Sequence, residues 1–221
     1  MNWEDFFLHD EHFFDEVEIY MCESPYVMIV NKEKEAEMNP DRPERVDRTL
    51  IHNGAIVDIY QDKMQLPDGS FENFDFIKHK GAAAVIPVLD DGRIIMVRQY
   101  RNAIDSYTLE IPAGGLNGAD EPTKVAAHRE LEEETGYYAE MEDVEFLLSL
   151  YTTVAFCNEK IDIYVAHNLR KTAQHLDDDE FIDVEVYTPD ELKSLILEGK
   201  IVDAKTIAAL STYLLKISPA D

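Results

Sequence analysis

The chain has 221 residues, with 20 Lys and Arg against 46 Asp and Glu, a formal net charge of −26 and 45% hydrophobic residues. That apolar content suits one domain of roughly 150–200 residues plus an extension, or two small domains, and excludes a wholly disordered chain. The acidity excludes a general nucleic-acid or anionic-membrane surface, because phosphates would be repelled, but admits a small phosphorylated substrate bridged by a divalent cation.

Residues 1–46 form an acidic extension with 13 acidic and four basic residues, net −9, interleaved with Trp3, Phe6, Phe7, Phe13, Phe14, Tyr20 and Tyr26. The start shows no basic and apolar leader, and no run reaches the roughly 18 apolar residues of a membrane span. Cys22 and Cys157 are too few for a disulfide framework. A cytoplasmic setting is expected. The extension reads as a packing or dimer-contact segment, or as a regulatory arm.

Residues 47–79 read as an N-terminal β-strand region. Strands are expected at 48–52, 55–66 and 70–79, with Asn53-Gly54 and Pro67-Asp68-Gly69 as turns. Segments 82–89 and 93–100 predict a further hairpin around Asp91-Gly92. A helix is expected over 120–135, stopped by Gly136. Strands follow near 144–151, 161–167 and 183–187. Thr188 and Pro189 open a second helix, which stops at Gly199, and a last helix covers 204–216. Strands, one helix, more strands and then helices is an α+β pattern with a mixed sheet, without regular βαβ alternation.

The helix over 120–135 carries the chemistry. Glu130 and Glu134 are four apart and Glu133 is three from Glu130, so the three carboxylates share one helix edge. Like charges at that spacing destabilise a helix by a few tenths of a kcal/mol per pair. Beside the glycine-rich 114–118 stretch they suit a hard cation, Mg²⁺ or Mn²⁺. Arg129 can orient one carboxylate through its fork. The same spacing also fits a solvated acidic helix face.

Gly115, Glu121, Arg129-Glu130-Leu131, Glu133-Glu134 and Gly136, with Tyr137 at the closing bulky position, resemble the Nudix box, Gly-x5-Glu-x7-Arg-Glu-U-x-Glu-Glu-x-Gly-U, where U is bulky and apolar. The resemblance implies a Nudix hydrolase with an α/β/α sandwich around a mixed sheet, here over residues 80–221. It implies that Glu130 and Glu134 ligand the cations with help from Glu133, that Arg129 holds the carboxylates, and that the Gly114 carbonyl is a further ligand.

Flanking stretches, including Val97-Arg98-Gln99-Tyr100-Arg101, Leu109-Glu110-Ile111-Pro112-Ala113-Gly114 and Asp203-Ala204-Lys205-Thr206, resemble the ADP-ribose pyrophosphatase branch. That branch hydrolyses nucleoside diphosphate sugars and commonly forms homodimers. By this resemblance Glu159 is the candidate base for the attacking water, with Glu133 as the alternative. Arg98 and Arg101 suit a pyrophosphate, and Glu110 a nucleoside. Val154 stands where ADP-ribose-specific members carry proline, and Phe74 where an arginine often contacts phosphate. A GDP-mannose-type substrate, or a non-catalytic module that senses ADP-ribose, therefore remains an alternative.

Overall fold

The computed structural model describes residues 41–54, 57–118, 120–176 and 180–217. The acidic extension up to residue 40, including Cys22, lies outside the described residues. Among those described, the residues up to Thr49 with Gln61–Phe74 form one compact unit, and Leu50–Tyr60 with the residues from Asp75 onward form another. Strands β1 (Glu44–Asn53), β2 (Asp58–Gln65) and β3 (Phe71–Lys78) hydrogen-bond in the order β1-β2-β3. In the first unit Asp62 accepts both prongs of the Arg48 guanidinium at 2.6 Å. The guanidinium contacts hold its carboxyl below the usual carboxylate range against the opposing effect of burial.

The larger unit is built on two sheets. β4 (Ala82–Pro87), β7 (Ala113–Gly115), β9 (Val144–Tyr151) and β10 (Lys160–Ala166) form a mixed sheet in the order β7-β4-β10-β9. β10 runs parallel to β4, with Ile163 opposite Ala84, while β9 and β7 run antiparallel. β5 (Ile94–Arg101), β6 (Ser106–Glu110) and β12 (Ile182–Tyr187) form an antiparallel sheet in the order β12-β5-β6. β8 (Tyr137–Tyr138) and β11 (Arg170–Lys171) make a small ribbon.

The hairpin expected over 82–100 forms only at its turn. Val88 bridges Ile94, and the Leu89 N–H donates to the Arg93 carbonyl at 2.8 Å, after which β4 and β5 part into different sheets. β4 and the first half of β5 are apolar runs buried on both faces, and such runs need cover on each side. Between the sheets pack Ile86, Ile94, Met96, Ile111 and Ile163.

Among the described residues the α-helices are α1 (Thr123–Thr135), α2 (Pro189–Leu197) and α3 (Ala204–Ile217). Leu192 of α2 and Leu210 of α3 join the core between the sheets, whereas Ala126, Ala127 and Leu131 of α1 pack against Ala83, Val85 and Tyr164 on the opposite face of the mixed sheet. This is the expected layered α+β architecture. A fully buried side chain such as Leu131 contributes about 1.5–3 kcal/mol. The alanines of β4 and α1 let helix and strand approach closely.

α1 starts three residues later than expected, because Pro122 is extended, with φ −62° and ψ 131°, and serves as the N-cap. It ends as expected at Gly136, whose φ of 67° is left-handed and whose N–H donates to the Glu132 carbonyl. α2 opens on a capping box in which the Thr188 hydroxyl accepts from the Glu191 N–H and the Glu191 carboxylate accepts from the Thr188 N–H. Among the described residues no helix is long and apolar enough to cross a membrane.

Candidate active site

β7 lies beside the first half of β4, with Gly114 opposite Ala83, and α1 packs against both strands. This brings the carboxylate edge of α1 onto the 113–115 backbone. Glu134 is 3% exposed and accepts a 3.0 Å hydrogen bond from the Ala113 N–H. Glu130 is 7% exposed, and its carboxylate lies where a side chain on Gly114 would stand. Glu133 is more open. Arg129 binds the group together: its Nη1 donates to Glu130 at 2.6 Å and to Glu133 at 2.8 Å, and its Nη2 donates to the Gly115 carbonyl at 3.1 Å. Its Nε reaches Glu121 at 3.4 Å. Glu121 also accepts the Asn117 N–H at 2.6 Å, which ties the loop to the helix.

Burial pushes the Glu130 carboxyl up to about 7, against the pull of Arg129. Burial likewise pushes Glu134 up to about 8, against the Ala113 N–H, and repulsion from Glu130 adds to the rise. Glu180, just before β12, repels both carboxylates. Nothing in its sequence context singled it out. Among the described residues no three His, Cys, Asp or Glu side chains stand together at ligand spacing. Glu130 and Glu134 nevertheless fit a hard divalent cation, because its charge would offset the desolvation and repulsion that raise both groups. Between them and the 113–115 backbone, oxygen donors are at hand.

Arg98 and Arg101 are three residues apart on β5, which puts them on opposite faces of the strand. Arg98 forks onto Glu185 of β12, with the Nε contact at 2.5 Å. Arg101 forks onto Glu110 of β6 through two 2.7 Å bonds. The two guanidiniums are therefore not brought together. Glu110 is 2% exposed, and its carboxylate is taken up by Arg101, the Thr108 hydroxyl and the Lys205 ammonium. Burial raises its pKa, but the two cations and the hydroxyl outweigh that and hold it at about 2. The Glu110 expected to meet a nucleoside thus has its carboxylate engaged by Arg101, Thr108 and Lys205. Lys205, at the start of α3, also reaches Asp203 at 3.0 Å, and its charge is felt at Glu134. The sequence reading gave it no role.

Glu159 lies in the loop between β9 and β10. Its carboxylate accepts from the Thr152 hydroxyl at 2.7 Å, and His79 Nε2 stands 3.5 Å away. Two residues on, Ile161 pairs with Ala82, which also pairs with Gly115. Glu159 thus sits at the sheet end where the box begins.

A family model described as NUDIX domain matches residues 78–210. The chain belongs to the Nudix family. Among its relatives are a methanol dehydrogenase activator of Bacillus methanolicus, 42% identical over 72% of this chain and 86% of that one, and an ADP-ribose pyrophosphatase of Bacillus subtilis, 37% identical over 77% and 92%. An ADP-ribose pyrophosphatase of Mycobacterium tuberculosis is 33% identical over 76% and 81%. A crystal structure of an ADP compounds hydrolase superposes with a TM-score of 0.68 over 79% of this chain and 92% of that one, at 22% identity, which shows the shared fold. The Nudix hydrolase expected from the box residues is thereby found, in the company of ADP-ribose pyrophosphatases.

Proposed function

We propose that this Nudix hydrolase cleaves the pyrophosphate bond of a nucleoside diphosphate sugar, with ADP-ribose and water giving AMP and ribose 5-phosphate. The observation that carries the proposal is the pair Glu130 and Glu134, both buried, both raised in pKa and both pressed onto the 113–115 backbone. The names of the Bacillus subtilis and Mycobacterium tuberculosis relatives support the substrate class.

Glu130, Glu134 and the Gly114 carbonyl are assigned to Mg²⁺ or Mn²⁺. When bound, the cation would neutralise the pyrophosphate and polarise the scissile phosphorus. Arg129 keeps Glu130 and Glu133 aligned through Nη1 while Nη2 holds the Gly115 carbonyl. Glu159 takes the proton from the attacking water, with Glu133 as the alternative base. Arg101, whose guanidinium feels the Glu134 charge, is assigned to phosphate oxygens with Glu110 acting through it, whereas Arg98, on the opposite face of β5, is engaged by Glu185. We assign the metal ligands and the base to residues 80–221, and the strand region 47–79 with the acidic segment 1–46 to assembly of a cytoplasmic homodimer. Exposed Val46, Phe71 and Phe74 support such an interface.

A Mg²⁺-supplemented panel with product identification tests the proposal. ADP-ribose is expected to exceed GDP-mannose and diadenosine polyphosphates in kcat/KM. A tenfold preference for GDP-mannose, about 1.4 kcal/mol at the transition state, would move the substrate assignment, in keeping with Val154 and Phe74. A second reading, action on another enzyme, draws on the name of the Bacillus methanolicus relative. Failure to turn over every free sugar nucleotide would favour it.

A further inference from the structure

The loop that carries Glu159 is fastened to the end of β3. The Ile77 N–H donates to the Phe156 carbonyl at 2.7 Å, and Ile77 and Cys157 form a parallel bridge. The His79 N–H donates to Asn158 Oδ1 at 2.8 Å, and Asn158 Nδ2 returns to the His79 carbonyl at 3.2 Å. At the next residue the Glu159 N–H meets Cys157 Sγ at 3.4 Å. These contacts fix His79 and Glu159 as neighbours although 80 positions separate them in the chain.

The imidazole is itself oriented. The Gly81 N–H donates to His79 Nδ1 at 3.1 Å, so Nδ1 offers a lone pair and the proton of the neutral ring resides on Nε2. Nε2 is the atom 3.5 Å from Glu159 Oε1, while the Thr152 hydroxyl holds Oε2. A contact of that length can tighten when substrate is bound. Nε2, already protonated, cannot accept the proton that Glu159 takes from water. It can only donate.

We infer that His79 is a positioning residue for Glu159: with its tautomer set by the Gly81 N–H, it directs Nε2–H onto one carboxylate oxygen while Thr152 holds the other. The free lone pair of the carboxylate is then aimed at the attacking water. This inference rests on the proposed role of Glu159 as the base.

The test is a mutant cycle in the full chain, with ADP-ribose at saturating Mg²⁺ and thermal unfolding as the fold control. Glu159→Gln is expected to lower kcat by about 10²–10⁴-fold, the usual contribution of a general base. His79→Leu is expected to lower kcat by about 10- to 100-fold, as loss of an orienting partner does, with KM and the Mg²⁺ requirement nearly unchanged. His79→Gln, which keeps a neutral N–H donor, recovers most of that loss. In the Glu159→Gln background His79→Leu has no further effect. If Glu159→Gln is inactive while His79→Leu keeps full kcat, or if the two losses multiply, the positioning role is overturned and the base assignment stands. If Glu159→Gln keeps full kcat, the base assignment falls, and the positioning role with it. Ring ¹⁵N shifts of His79 in the unmutated chain give a readout independent of any variant's folding. A protonated Nε2 is expected, and a protonated Nδ1 would overturn the inference.

Discussion

Glu130 and Gly114 share one space: the glutamate carboxylate fills the volume a β-carbon at position 114 would need. The glycine is required there for closeness, so that β7 and the helix edge can touch.

Gly114→Ala should therefore displace Glu130. An overpacked site of this kind costs about 1–3 kcal/mol, and a small misplacement of reacting groups can cost about 10²-fold in rate. Urea unfolding and steady-state kinetics of the variant check both. Wild-type kcat in Gly114→Ala would show that Glu130 need not sit against β7.

The raised carboxyls make the metal-free protein sensitive to alkali. A folded-state pKa above the unfolded value means that the folded chain binds more protons, so stability falls as pH rises from about 4.5, the ordinary glutamate value, through the folded values of about 7 for Glu130 and about 8 for Glu134. Glu134→Gln removes a buried charge. In EDTA at pH 8 the variant's Tm should exceed that of the wild type, and saturating Mg²⁺ should raise the wild-type Tm more than the variant's. A wild-type Tm that stays flat between pH 5 and 9 would mean that burial does not strain these groups.

Glu110 titrates in the opposite sense. Its folded value of about 2 lies below the ordinary one, so its stabilisation is present above about 4.5 and is lost as pH falls toward 2. Lys205→Met removes one of the two cations that hold this buried carboxylate. Breaking a buried pair from one side costs about 3–5 kcal/mol. Urea unfolding at pH 7 should show the loss, and the acid-unfolding midpoint should move to higher pH. An unchanged midpoint would mean that Arg101 and Thr108 suffice.

Arg129→Lys keeps the charge and loses the fork. The contacts leave from two fixed guanidinium nitrogens, Nη1 to Glu130 and Glu133 and Nη2 to the Gly115 carbonyl, and a single ammonium does not reproduce that spacing. Turnover should fall about 10- to 100-fold, as for a lost orienting partner of metal-ligating groups, with Tm little changed. Equal activity in the lysine variant would reduce Arg129 to a counter-charge.

The carboxylate edge was legible because helical spacing is local: Glu130, Glu133, Glu134 and Arg129 read off one another within two turns. Although the reciprocal Thr188–Glu191 bonds appear only in the structure, Gly136 as a helix stop and Thr188-Pro189 as a helix start were legible for the same reason. The sheets were less so. The Asp91-Gly92 turn is written in the sequence, but whether β4 and β5 stay paired beyond it depends on partners 79 to 93 residues away. β6 and β7 are short and separated by Ile111-Pro112, so no periodicity marks them. Glu110 read as an open acceptor because its partner Lys205 is 95 positions distant. Glu180 closes the acidic run 177–180, and only folding brings its charge to bear on Glu130 and Glu134.

The most direct measurement is the rate of AMP and ribose 5-phosphate release from ADP-ribose at saturating Mg²⁺ by the wild type and by Glu134→Gln. Removing ligand charge without removing volume should lower kcat by at least about a hundredfold, some 2.7 kcal/mol or more at the transition state, while the far-ultraviolet spectrum stays that of the folded chain. A Glu134→Gln enzyme that releases both products at near-wild-type rate would contradict the assignment of the α1 carboxylates as the hydrolytic centre.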